Sequence, residues 1–481
     1  MNKPTITYTF ADFRARYPDC DGFQVLNELR QQEYRRLDQQ GHVYLDYTGG
    51  GLYPDRLVRE HSEFLRKTVL GNPHSQNPTS LASTHLMQQA RQDVLRYFRA
   101  DPQEYTVIFT ANASAALKLV GESYPFQPGS HFCLLADNHN SVQGIREFAR
   151  HKGARITYVP LDPHRLCCPD LRPYLEHWDA DKPNLFAMPA QSNFSGVQHP
   201  LTAIELAHEL GYDVILDAAA FAPTNRLDLS VIKPDFAPIS FYKMFGYPTG
   251  VGALIARRSA LAKLVRPWFG GGTVQLVSTR ADLHILADDY EAFEDGTPNY
   301  LLLPAISMGL RLMESLDVDR IHRWVMALTG YLLEEMQALK HDNGAPLVRI
   351  YGPTDTSARG GTIAFNLMDP RGEFFSYQLV EKEANAKNIS IRAGCFCNPG
   401  AGEFSLDISA EEVRRCVKKA TVDGQFDVNR YHACLGSKPS GAVRASLGMV
   451  TSFEDIAYFL NFLATYLNRF APNIAPKAPT C

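Results

Sequence analysis

An aspartate and a lysine stand 26 residues apart in DAAAFAPTNRLDLSVIKPDFAPISFYKMFGYPTGVG, the stretch from Asp217 to Gly252. Asp217 closes an apolar run, and Lys243 follows a serine in SFYK with a glycine-rich segment behind it. A lysine amine can tether an aldehyde covalently and afterwards carry protons, and a buried carboxylate can hold a proton on a pyridine nitrogen. Pyridoxal phosphate needs both, because its ring draws electrons only while that nitrogen stays protonated. Opposite charges held close together also favour each other's ionised forms. Taken singly, Asp217 reads as a strand-end cap and Lys243 as a solvated loop lysine, as most charged residues are. The pair gains weight only if other residues agree with it.

The elements around the pair give it a setting. Residues 80–99 have the spacing of an amphipathic helix, and TVIFT, HFCLLAD, ARITYVP, LFAMPA and DVILDAA follow as short apolar runs with helix-like segments between several of them. That alternation predicts an α/β fold with a mostly parallel central sheet and helices on both faces. Ligands of such sheets gather at the carboxyl ends of the strands. Asn112, His139, Asn193 and Asp217 all lie just past such runs. The pattern turns helical around 310–345, and LVRIYG, TIAFNLM and ISIRAG predict a smaller sheet. A closing helix is expected to begin near Thr451 or Ser452, with Asp455 in its first turn. The expected organisation is an N-terminal segment (1–44) packing on the small domain, a large domain (45–310), a smaller C-terminal α+β domain (311–470) and a loose Pro- and Ala-rich tail (471–481).

Composition narrows the function classes. Lys plus Arg number 48 and Asp plus Glu 52, a net charge of -4 that gives no support to a nucleic-acid or anionic-membrane partner. Hydrophobic residues make up 45%, enough for a large core. No run is long enough for a membrane span, and the N-terminus lacks the apolar stretch of a secretory signal. Nine cysteines, sparse and odd in number, argue against a disulfide framework and for a reducing, cytoplasmic setting. Cys395 and Cys397 form only a CxC and Cys167 and Cys168 are adjacent, neither of which is a zinc pattern.

Three stretches carry a resemblance: DAAAFAPTNRLDLSVIKPDFAPISFYKMFGYPTGVGALI, RAGCFCNPGA and SGAVRASLGM. Through them the sequence is similar, over roughly residues 40–465, to the class V aminotransferase and cysteine desulfurase superfamily. More narrowly, it resembles the pyridoxal-phosphate domain of the molybdenum-cofactor sulfurases. The resemblance implies the type I fold of pyridoxal-phosphate enzymes, with Lys243 holding the cofactor and Asp217 at its ring nitrogen. It implies a phosphate loop at TANASAAL, with the Ala113 amide and the Ser114 hydroxyl, helped by Ser240 and Tyr242. His139 is implied to stack on the ring and move protons, and Asn193 to reach the phenolic oxygen. Ala219 belongs to the cofactor set, and Ala220 stands where desulfurases usually carry Gln. Thr297, in FEDGTPNY, is implied to reach the cofactor of a neighbouring subunit, which makes the protein a homodimer.

IRAGCFCNPGAG is implied to carry sulfur chemistry. Arg392 precedes Cys397 by the desulfurase spacing of five, and the Cys397 thiolate would take sulfur from L-cysteine as a persulfide, releasing alanine. A glycine-rich loop would let that thiol move, and Cys395 would serve as a resolving thiol or a packing residue. Arg444 would fork onto the substrate carboxylate. Full-length sulfurases of this kind carry a further C-terminal domain that binds the molybdenum cofactor; the expectation is that this protein lacks it, and so either passes sulfur to a separate protein or does different work. Two rival readings stand beside this one. The first is another enzyme on the same scaffold, a C–S lyase, aminotransferase or epimerase; the second is a non-catalytic scaffold.

Overall fold

In the computed structural model, residues 7–20, 22–436 and 438–472 are described. The central sheet has seven strands: β1 (Tyr105–Thr110), β2 (His131–Leu135), β3 (Arg155–Val159), β4 (Asn184–Pro189), β5 (Tyr212–Asp217), β6 (Phe236–Ser240) and β7 (Gly252–Arg257). Their order is β1-β7-β6-β5-β4-β2-β3. Only β7 runs against its neighbours, pairing antiparallel with both β1 and β6. Every residue of β2, β4 and β5 is buried, as strands covered on both faces require.

Alternate side chains of one strand enter opposite layers. Val107 and Phe109 of β1 join the core that contains Met87 and Val94 of α1 (Pro78–Tyr97) and Leu310 of α3 (Leu303–Leu316). Ile108, between them, joins the core under Leu117 and Val120 of α2 (Ala113–Ser123). The helix expected at 80–99 therefore runs from 78 to 97, started by Asn77, whose side chain accepts the Ser80 amide.

The expected helical region resolves into α3 and α4 (Val318–Ala338). The smaller sheet is antiparallel: β8 (Val348–Tyr351), β9 (Thr362–Leu367), β10 (Arg392–Gly394) and β11 (Ala442–Ser446), in the order β8-β9-β11-β10. The closing helix α5 (Phe453–Ala464) begins with a capping box, Ser452 accepting the Asp455 amide while the Asp455 carboxylate accepts the Ser452 amide. Phe13, near the N-terminus, is fully buried against the rings of Trp324, Tyr331 and Phe453. Residues 43–44 then pair in parallel with 389–390, and Asp46 bridges to Ser446 at the end of β11. This path brings the N-terminal segment to the junction of the two sheets. Most of the expected tail, 473–481, lies outside the described residues.

One disulfide was not anticipated. The cysteine count argued against a disulfide framework, and one pair among the described residues, Cys416 and Cys434, is bonded. The helices 410–420 and 428–435, joined by a short hairpin, hold their Cα atoms 5.4 Å apart, a spacing that permits the bond whatever the overall count. Among the described residues no helix is long and apolar enough to cross a membrane.

Candidate active site

A cavity of about 440 Å³ opens at the carboxyl ends of the parallel strands. Asp217 ends β5, Ser240 ends β6, Pro189 ends β4, His139 follows β2, and Asn112 and Ala113 follow β1; all of them line it. Tyr242 and Lys243, on the first turn after β6, complete one wall. Residues spread over more than 130 positions of sequence thus share one concavity of ordinary small-ligand size.

The details fit a phosphorylated pyridine aldehyde. Asp217 is buried, and its Oδ1 accepts the Ala219 amide, which fixes the carboxyl plane and leaves Oδ2 for another donor. Burial lowers the Lys243 pKa, opposed by the attraction of Asp217. The amine is therefore more easily neutral, and nucleophilic towards an aldehyde, than a solvated lysine. Burial likewise lowers the His139 pKa against the pull of Asp217, so its ring favours the neutral form. Its Nδ1 accepts the Ser141 amide at 3.1 Å.

In the lining of the same cavity, α2 starts at Ala113 with Asn112 as its cap. The Ser114 hydroxyl lies 2.6 Å from that of Ser141, and both line the cavity. A helix start with a hydroxyl beside it suits a dianionic phosphate. Gly252 of β7 makes room for this start: a Cβ there would lie 2.6 Å from the Asn112 carbonyl carbon and 3.0 Å from the Ala113 nitrogen.

The loop carrying Cys397 is fastened to the same site. Phe396 and Cys397 are consecutive residues at positive φ, +55° and +54°. The Phe396 carbonyl accepts from Asn193 Nδ2 at 2.7 Å, and the Cys397 carbonyl accepts the Asn140 amide at 2.7 Å. Asn398 Nδ2 bonds to the Asp137 carbonyl and to Asn193 Oδ1. The backbone of the expected mobile loop is thus held on both sides of the thiol. Four hydrogen bonds tie it to two cofactor-site loops. Cys397 itself is exposed and does not line the cavity. Asn193 does line it, with one amide proton and the carbonyl oxygen committed to the Cys397 loop.

The two arginines converge on a residue that the sequence did not single out. Asp46 pairs with Arg444 through Oδ1 at 2.9 Å and with Arg392 through Oδ2 at 2.7 Å. Arg444 is 2% exposed, lies under the Phe396 ring and donates to the Asn193 carbonyl; its Nε has no partner among the described residues. A carboxylate from the chain therefore sits on the guanidinium expected to receive a substrate carboxylate. Gln191, Ser141 and Thr249 also line the cavity and were not anticipated.

Thr297 is not brought to this cavity. It lines a neighbouring one of about 330 Å³ with Lys118 and Asp295, and Asn72 Nδ2 lies 3.2 Å from its hydroxyl.

Residues 43–459 match the family described as aminotransferase class-V. The chain is 38% identical over 465 residues to the molybdenum cofactor sulfurase of Bos taurus and 37% identical over 495 residues to that of Arabidopsis thaliana. Those alignments cover 92% and 94% of this chain but 52% and 59% of the relatives, so the chain spans little more than half their length. A solved cysteine desulfurase from Thermococcus onnurineus NA1 superposes with a TM-score of 0.74 at 24% identity, covering 91% of this chain and 97% of that one, which establishes the shared fold.

Proposed function

Since the chain belongs to the aminotransferase class-V family, a family of pyridoxal-phosphate enzymes, we propose that it is a cysteine desulfurase. In this reading it moves sulfur from L-cysteine to Cys397 and releases alanine. The observation that carries the reading is the single cavity lined by both Asp217 and Lys243 together with His139 and the start of α2.

Pyridoxal phosphate supplies, when bound, an electron-withdrawing ring that stabilises charge next to the substrate's amine. Lys243 would hold the cofactor through its amine and, once that amine is free, would move a proton at the substrate α carbon. Asp217 keeps a proton on the ring nitrogen. Ala113, Ser114, Ser240 and Tyr242 receive the phosphate. Neutral His139 takes a proton at one step and returns it at another, which a ring held charged could not do. Arg444 receives the substrate carboxylate, sharing its guanidinium with Asp46, while Arg392 lies beside Cys397 closely enough to feel its charge. The Cys397 thiolate attacks the substrate sulfur. The new S–S bond forms as the C–S bond breaks, and the carbon keeps the electron pair and gains a proton to give alanine.

The cavity around Thr297 is explained by a second copy of the chain whose cofactor phosphate Thr297 would reach, so the enzyme is proposed to be a homodimer. An acceptor protein then collects the sulfur from Cys397, whose exposure suits it to hand sulfur on.

The test is to load the protein with pyridoxal phosphate, supply L-cysteine, and assay alanine, sulfide and the mass of the Cys397 peptide. Alanine in step with a sulfur-bearing Cys397, both lost in Cys397→Ala, is the expected result. Pyruvate and ammonia, or full turnover in Cys397→Ala, would replace the reading with a C–S lyase.

A further inference from the structure

Arg392 of β10 and Arg444 of β11 are register partners on adjacent antiparallel strands, so two guanidinium side chains stand opposite each other on one face of the small sheet. Like charges placed this way repel. Asp46 lies between them. Its Oδ1 accepts from Arg444 Nη2 at 2.9 Å and from Arg392 Nε at 3.1 Å, and its Oδ2 accepts from Arg392 Nη2 at 2.7 Å. The carboxylate thus forks onto Arg392 and reaches Arg444 by a single bond. We propose that Asp46 is a specificity-determining residue: it occupies Arg392, the cation at the side-chain end of the substrate site, and so restricts substrates to amino acids whose side chain carries no negative charge. The inference rests on the reading given above, in which Arg444 receives the substrate carboxylate and the substrate side chain approaches Cys397.

The two arginines are used differently. A guanidinium has five donors. On Arg444, Nη1 donates to the Asn193 carbonyl at 2.8 Å and Nη2 donates to Asp46, while the buried Nε has no partner among the described residues. A buried donor without an acceptor is costly, so this arginine still calls for a carboxylate. On Arg392, Nε and Nη2, the edge that a carboxylate grips with two parallel bonds, are both spent on Asp46. Arg392 opens the strand that runs into the Cys397 loop, and it feels the charge of that thiol. A second carboxylate arriving there meets the carboxylate of Asp46 where a free fork would have held it. Like charges brought together in a site cost several kcal/mol, whereas an uncharged thiol meets no such repulsion.

Asp46 is fixed in this position. Its carbonyl accepts the amides of Gly49 and Gly50, and its backbone bridges to Ser446 at the end of β11. The turn wraps the ion pair closely: a Cβ at Gly49 would lie 2.5 Å from both Arg392 Nη2 and Asp46 Oδ2, so glycine leaves room for the pair as it stands. A carboxylate that only neutralised two arginines would, on removal, change the affinity for every amino acid alike. One that masks Arg392 changes the ratio between charged and uncharged side chains.

The experiment titrates the full chain, loaded with pyridoxal phosphate, with L-alanine, L-asparagine and L-aspartate by isothermal titration calorimetry. Asparagine and aspartate share a shape and differ in charge. The wild-type protein is expected to bind asparagine about tenfold more tightly than aspartate, and Asp46→Asn to bind aspartate about tenfold more tightly than the wild type does. The double variant Asp46→Asn, Arg392→Gln is expected to lose that gain, because the cation that received the second carboxylate is gone. Equal wild-type affinities for the two isosteres, no gain for aspartate in Asp46→Asn, or a gain that persists in the double variant would overturn the proposal. The wild-type comparison decides even where Asp46→Asn fails to fold. Alanine separates this inference from the reading beneath it: a wild-type protein that does not bind alanine overturns both, and one that binds alanine without distinguishing the isosteres overturns this inference alone.

Discussion

At the scale of single residues, the amine of Lys243 is the clearest case of environment setting chemistry. Its pKa is lowered from 10.5 chiefly by burial, with Asp217 pulling the other way. The neutral amine is the form that captures an aldehyde, so capture of pyridoxal phosphate by the apo protein should accelerate with pH and level off below pH 10.5. A half-rise at or above 10.5 in a stopped-flow absorbance series would contradict this. The sign extends to stability. The folded state binds this proton less tightly than the unfolded state, so the lysine's contribution rises with pH between its lowered value and 10.5. Asp217 and His139 stood out because each lies just past an apolar run, where ligands of such sheets gather, and Lys243 by its spacing from Asp217; Ser114 was implied only by the family resemblance. Asp46 did not stand out: its partners Arg392 and Arg444 are nearly 350 and 400 residues away, and an aspartate in DYTGG carries no mark of them. Ser141 escaped because its role is a contact with Ser114, 27 residues back.

At the scale of elements, the junction of β7 with α2 decides how the phosphate end of the site is formed. A methyl group at position 252 would press on the backbone of Asn112 and Ala113, neither of which can rotate away. Gly252→Ala should therefore displace the helix start and weaken pyridoxal-phosphate binding by about tenfold, roughly 1.4 kcal/mol. Fluorescence titration of the apo protein measures this, and unchanged affinity would show that the helix start takes no part. Five strands of the central sheet were visible as apolar runs. β6 was hidden by the proline in FAPIS, and β7 by the glycine-rich stretch before it. The antiparallel course of β7 follows from its pairing with β1 and β6, which no local pattern encodes. AVRAS drew attention for its arginine, and its place as the strand beside β9 and β10 went unseen.

At the scale of the whole molecule, the N-terminal segment fastens the site to the closing helix. Arg30 is 6% exposed and binds Asp455 in the first turn of α5, Asp38 and the carbonyl of Val450. Removing one partner of a buried pair strands the other, so Arg30→Met should cost about 3–5 kcal/mol, seen as a lowered midpoint in urea. Asp455 shares in this, since its pKa is raised by burial and held back by Arg30. A loss below about 1 kcal/mol would show that the segment is an appendage, not part of the fold. The same segment, running on through Asp46 to Gly51, lies against the backbone of Tyr242 and Lys243, where Gly51 donates to the Tyr242 carbonyl.

The chemistry proposed for the molecule rests on one lysine and one aspartate that line a single cavity. The direct measurement is to incubate the protein with pyridoxal phosphate, reduce with borohydride, and map the covalently labelled peptide by mass spectrometry. The account predicts one label, on Lys243, absent from Lys243→Ala and formed with weaker binding in Asp217→Ala. A label on another lysine, or none on a protein shown to be folded, would contradict it.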